Sequence, residues 1–96
     1  MKRFEIVLYT YKAHLDDADL RTLTKEFVER GSGSGIIAHY ERLDGRGGII
    51  VQEVAADADV EADYERTLVY SKFMDVEVVP ATTIEDAVPT ILKLYG

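Results

Sequence analysis

The stretch at 36–54 constrains this chain more than any other. It reads IIAHYERL, then DGRGG, then IIVQEV. Two runs rich in β-branched residues around a glycine-dense reversal are the pattern of a β-hairpin. A helical pattern precedes this hairpin and another follows it, and each helix is flanked by a further apolar run, at 4–10 and 73–80. Strand, helix, hairpin, helix, strand is the order of a split βαβ, ferredoxin-like α+β domain.

The outer segments support that order. Phe4, Ile6 and Leu8 alternate with Glu5, Val7 and Tyr9, a period-two strand with one clearly apolar set. From Leu15 the period becomes helical. Leu20, Leu23, Phe27 and Val28 recur at helical spacing, Asp16, Asp17 and Asp19 mass at the start, and Arg30 falls in the last turn, as the helix dipole favours. Gly31 is the predicted stop, and GSGSG at 31–35 reads as a flexible connector. A glycine-rich phosphate loop would instead leave a strand and enter a helix, usually with a lysine at hand. After the hairpin, Asp57 or Asp59 caps a second helix whose inward stripe is Val60, Tyr64, Thr67 and Leu68, closed by Lys72. FMDVEVVP then sets Met74, Val76 and Val78 against Asp75, Glu77 and Val79. Thr82, Thr83, Ile84 and Glu85 open a third helix, in which Pro89 predicts a kink or break near Val88.

Right-handed crossovers place the first two helices on one face of a four-stranded antiparallel sheet. A single domain over 1–96 is expected, with the third helix as a C-terminal addition. The apolar set predicts that Phe4, Ile6, Leu8, Met74, Val76 and Val78 lie under Leu20, Leu23, Phe27, Val60, Tyr64 and Leu68. The open face then carries Glu5, Val7, Tyr9, Tyr11, Asp75, Glu77 and Val79. From the hairpin, the preferred register adds Ile37, His39, Glu41, Leu43, Ile49, Val51 and Glu53 to it. Ala38, Tyr40, Ile50, Val54 and Gln52 turn towards the helices. So apolar an open face is poorly suited to water. It predicts an isologous homodimer through the open sheet face, a dimeric α+β barrel.

Composition removes several classes of partner. There is no cysteine, hence no disulfide framework or thiolate metal site. The formal net charge of −7 argues for no nucleic acid, since phosphate binding rests on Lys and Arg; an acidic decoy for a nucleic-acid-binding partner would need its carboxylates in a surface stripe. No apolar run approaches the roughly 20 residues that span a bilayer. The start MKRFEIVLYTYK is interrupted by charge too soon for a secretory signal. A cytoplasmic protein with no membrane partner is the expectation.

Carboxylates brought together in a partly dry barrel raise one another's pKa and can act as acid or base with a histidine. On that reasoning His39, Glu41, Glu53 and Glu77 are the candidate catalytic residues, with Tyr9, His39 and Glu53 as candidate ligand contacts. The plainer reading makes them solvated polar positions of a half-buried sheet, some paired with Arg3, Arg42 or Arg46. No metal site is predicted, because the two histidines, His14 and His39, have no ligand spacing. No cofactor is expected. Ser32, Ser34 and Ser71 form no triad with any histidine in this layout.

The turn LDGRGG, Glu53, and above all YSKFMDVEVVP resemble a family of small, uncharacterised bacterial and phage proteins of the dimeric α+β barrel type, known as a domain of unknown function. In that family the positions of His39, Tyr40 and Glu41 tend to read Arg, Trp and His, and Tyr70 tends to be Trp. The resemblance implies the fold and a dimer and supplies no substrate. The expected role is a non-catalytic or small-ligand-binding accessory protein. The alternative is a cofactor-independent, monooxygenase- or isomerase-like enzyme for a small metabolite, which rests on fold analogy. A cleft of roughly 300 Å³ or more between sheet and helices, lined by His39, Glu41 or Glu53, favours a ligand or substrate; a filled interior favours a scaffold.

Overall fold

The computed structural model describes every residue except Ser32 and Ser34. The elements follow as β1 (Phe4–Tyr11), α1 (Asp17–Arg30), β2 (Ile36–Glu41), β3 (Gly47–Glu53), α2 (Val60–Tyr70), β4 (Met74–Ala81) and α3 (Ile84–Tyr95). The strands form one antiparallel sheet in the order β2-β3-β1-β4. This is the ferredoxin-like α+β arrangement with a C-terminal helix that the sequence predicts. Among the described residues no helix is long and apolar enough to cross a membrane.

Local chemistry sets the ends of the helices. The Asp16 carboxylate accepts from the Asp19 N–H while Asp19 accepts from the Asp16 N–H, a reciprocal capping box. At the other end Gly31, at φ 68°, donates its N–H to the Phe27 carbonyl, a conformation natural to glycine. Of the GSGSG connector, Ser32 and Ser34 lie outside the described residues. Asp59 caps α2 through the Ala62 N–H. That helix ends at Tyr70, so Lys72 falls in the turn before β4 instead of closing the helix. Thr83 caps α3 through the Asp86 N–H. α3 continues through Pro89 to Tyr95, so of the expected kink or break the helix shows no break. The carbonyl left without an amide partner, that of Glu85, belongs to an exposed residue that water can satisfy.

The hairpin reverses over 42–46. The Arg42 N–H donates to the Gly47 carbonyl and the Gly45 N–H to that of Arg42, with Gly45 at φ 72°. Gly47 and Gly48 therefore belong to β3, and Leu43 leaves the sheet fully exposed. Ladder register then decides which side chains share a face. Val7 pairs with Ile50 and Val78, Tyr9 with Gly48 and Val76, and Ile6 with Val51 and Val79. The face under α1 and α2 carries Val7, Tyr9, Tyr11, Ile50, Gln52, Met74, Val76 and Val78, which share one cavity with Leu20, Leu23, Phe27 and Tyr64.

For β3 and β4 this is the predicted orientation. For β1 it is reversed: Glu5, Val7, Tyr9 and Tyr11 face the helices, while Phe4, Ile6 and Leu8 lie on the open face. Apolarity misled here because the polar members of the inner set find partners, Glu5 in Gln52 and Tyr9 in His39 and Glu41. β2 is also reversed, for a different reason. Ile36 pairs with Gln52, yet Ala38 pairs with Val51 and His39 with Ile50. Ile37 is thus the extra residue of a β-bulge, which moves His39 and Glu41 from the open face to the helix face.

The expected packed layer between sheet and helices is likewise corrected. Among the described residues only Tyr9, Leu23 and Phe73 are buried apolar side chains. Val76 and Val78 on the inner face of β4 stay 42% and 47% exposed. The helices therefore roof a trough that opens along this edge strand. The radius of gyration of 16.1 Å exceeds the roughly 12.5 Å of a compact domain of this length. No residue of α3 is buried.

Candidate functional site

The trough has a volume of about 1270 Å³, above the roughly 300 to 1,000 Å³ of ordinary ligand pockets. Its sheet wall is apolar at Val7, Ile50, Met74, Val76 and Val78, and its roof at Leu23 and Phe27. A polar cluster interrupts that lining on the side of β1 and β2. Tyr9 and Tyr11, two residues apart on β1, share a face with His39 and Glu41, two apart on β2, and glycine on the intervening β3 lets them meet. A Cβ built at Gly48 would overlap the Tyr9 hydroxyl. The bare glycine allows the Tyr9 ring to lie across β3.

The Tyr9 hydroxyl is 2.6 Å from His39 Nε2 and 3.3 Å from Glu41 Oε2. The Tyr11 hydroxyl straddles the same carboxylate at 3.0 and 2.9 Å from its two oxygens. A phenol has one proton to give. Both Tyr9 contacts are satisfied together when His39 Nε2–H donates to the Tyr9 oxygen and the Tyr9 O–H donates to Glu41, which assigns the imidazole tautomer. The rings stack edge-on: Tyr9 lies 5.9 Å from Tyr11 and 5.7 Å from His39, and Phe27 of α1 lies 5.9 Å from His39. Burial above all, then the neighbouring Tyr11 and Glu41, holds the Tyr9 phenol well above its ordinary pKa. Burial, then the Glu41 carboxylate, pushes Tyr11 up to about 12. Both phenols are protonated donors at neutral pH.

The other sequence candidates separate from this cluster. Glu77 is exposed and faces Leu8 across the ladder on the open face. Glu53 ends β3 at the margin of the trough, exposed, in register with Phe4. Glu5, deeper along β1, accepts from Gln52 Nε2 at 3.4 Å. Across the trough Arg66 of α2 is engaged with Asp63 at 2.9 Å. Sequence reasoning did not single out Phe27, Gln52 or Arg66 as site residues, although the i, i+2 pairs Tyr9/Tyr11 and His39/Glu41 carried the signal. Tyr70 serves the frame: its hydroxyl donates to the Gly31 carbonyl at 2.9 Å, tying α2 to the end of α1. A second depression, about 400 Å³ on α1 beside Asp17, Leu20, Arg21 and Thr24, presents one helix face and no converging groups. Among the described residues no His, Asp and Glu side chains converge as a metal-ligand set.

Residues 6–95 match a family described as a domain of unknown function, DUF3303. The chain belongs to this family. No curated protein matches it. The DUF3303 match runs from Ile6 in β1 to Tyr95 at the end of α3, so Tyr9, Tyr11, His39, Glu41 and Gly48 all fall inside the domain.

Proposed function

We propose that this DUF3303 protein is a small-ligand-binding accessory protein that takes a small molecule into the trough between the sheet and the helices. One observation carries the reading: a cavity of about 1270 Å³ with an apolar sheet wall holds the hydrogen-bonded cluster of Tyr9, Tyr11, His39 and Glu41. Apolar lining with a few convergent polar groups is the usual make-up of a ligand site. The open face of Phe4, Ile6, Leu8, Ala38, Ile49, Val51 and Val79 supports a homodimer through that surface. Pairing the open faces leaves each trough accessible from the opposite side of its sheet.

The test is a thermal-shift screen of small metabolites against the wild type and against Val78→Trp, whose indole would occupy the trough. Ligands that raise the melting temperature of the wild type and not of the variant are expected. A screen without hits, or hits indifferent to Val78→Trp, overturns the reading.

The run from His39 through Tyr9 to Glu41 favours one second reading, a cofactor-independent enzyme that moves a proton along this chain. Turnover of a bound metabolite that Tyr9→Phe abolishes, with binding retained, separates that enzyme from a binding protein.

A further inference from the structure

Resting on the ligand-binding reading, we infer that the trough takes an organic amine, its ammonium seated against Glu41 among the Tyr9, Tyr11 and Phe27 rings and its apolar body laid along Val7, Ile50 and Val78.

The first support is the state of Glu41. Among the described residues no Lys or Arg pairs with it; its recorded partners are the two phenols. A carboxylate offers about four lone-pair sites, and two hydroxyl donors leave capacity for a further N–H donor. Glu41 is exposed while Tyr9 behind it is buried. The carboxylate thus stands where the trough meets water, and a cation reaches it without complete loss of hydration.

Ring geometry gives the second support. The Tyr9 and Tyr11 hydroxyls converge on Glu41, and Phe27 packs edge-on against the neighbouring His39, so the acidic end of the trough is flanked by aromatic rings against which an alkylammonium can pack. Charge over the whole lining agrees. Carboxylates of Glu5, Glu41, Glu53, Asp57 and Asp63 border the trough against one guanidinium, Arg66, already engaged with Asp63. An anionic ligand would meet repulsion at the mouth, and a neutral hydroxyl would donate to Glu41 without balancing its charge.

A matched series separates these cases: phenethylamine, phenethyl alcohol and phenylpropionate, titrated calorimetrically into wild type and Glu41→Gln, with the neutral dye Nile red as an independent probe of the trough. The amine is expected to bind at least about tenfold more tightly than the alcohol, and the acid not to bind. Glu41→Gln is expected to remove the preference, bringing the affinity for the amine down to that for the alcohol. Equal or tighter binding of the alcohol or the acid, or a preference that survives Glu41→Gln, overturns the amine assignment. Nile red fluorescence that rises in the wild type and not in Val78→Trp, with no amine binding, also overturns it and leaves the ligand-binding reading standing. Failure of the dye and of all three compounds overturns both.

Discussion

Gly48 stands directly across the ladder from Tyr9, and the phenol occupies the space where a side chain at 48 would be. The pair is the hinge of the site, because only a ring lying over β3 reaches His39 and Glu41 on β2. Gly48→Ala should force the ring aside and cost about 1 to 3 kcal/mol, the usual scale of overpacking. Denaturant unfolding reads the loss. In a Tyr9→Ala background the penalty should shrink to what the added Cβ meets at the Tyr40 backbone carbonyl. Additive penalties in this double-mutant cycle would mean that the two residues do not compete for the space.

Alkaline pH offers a second handle. Burial and Glu41 raise the Tyr11 phenol to about 12, and Tyr9 lies higher still, against an ordinary value near 10. A folded-state pKa above the unfolded one contributes stability that is fully present below the unfolded value. Stability should therefore be flat up to about pH 10 and fall as the pH climbs towards 12. The ultraviolet absorbance of tyrosinate should rise late for these two phenols. Glu41→Gln removes the charge that opposes ionisation, so Tyr11 should titrate at lower pH in that variant.

Assembly can be tested on the corrected faces. Leu8 and Val51 lie on the open face while Val7 lines the trough, so charge has different consequences at neighbouring positions. Leu8→Asp should convert a dimer into a monomer of 10.8 kDa, and Val7→Asp should leave the mass unchanged while weakening ligand binding. Sedimentation velocity at micromolar concentration decides. A wild type that sediments as a monomer refutes the assembly outright.

Element order and type were legible because the period changes from two to 3.6 and back, and the caps Asp16, Asp59 and Thr83 mark the helix starts. Face assignment was legible only where one set of positions was unambiguous, as with Met74, Val76 and Val78. In β1 transfer energy favours Phe4, Ile6 and Leu8 over the mixed set Val7, Tyr9 and Tyr11 for the helix face, and the structure takes the mixed set. The choice depends on partners in other strands, above all the space over Gly48 and the amide of Gln52. The trough itself has no local signature. It arises from how far α1 and α2 stand from the sheet, a distance that no stripe on either helix encodes.

The bulge at Ile37 makes the sharpest remaining prediction, because the site depends on a single extra residue. Beyond it the pairs Ala38 with Val51, His39 with Ile50 and Glu41 with Gly48 hold His39 and Glu41 over the trough. Removing Ile37 should therefore straighten β2 and keep that register. Tyr11 should still ionise near 12, ligand binding should persist, and stability should change by less than about 1 kcal/mol for loss of a largely exposed residue. A regular ladder in solution predicts the opposite. In that case the deletion would turn Glu41 away from the face that Tyr11 occupies, because a one-residue shift exchanges the two faces of a strand. The Tyr11 titration would then move down towards its ordinary value, and the loss of the Glu41 contact would appear in the same absorbance curve.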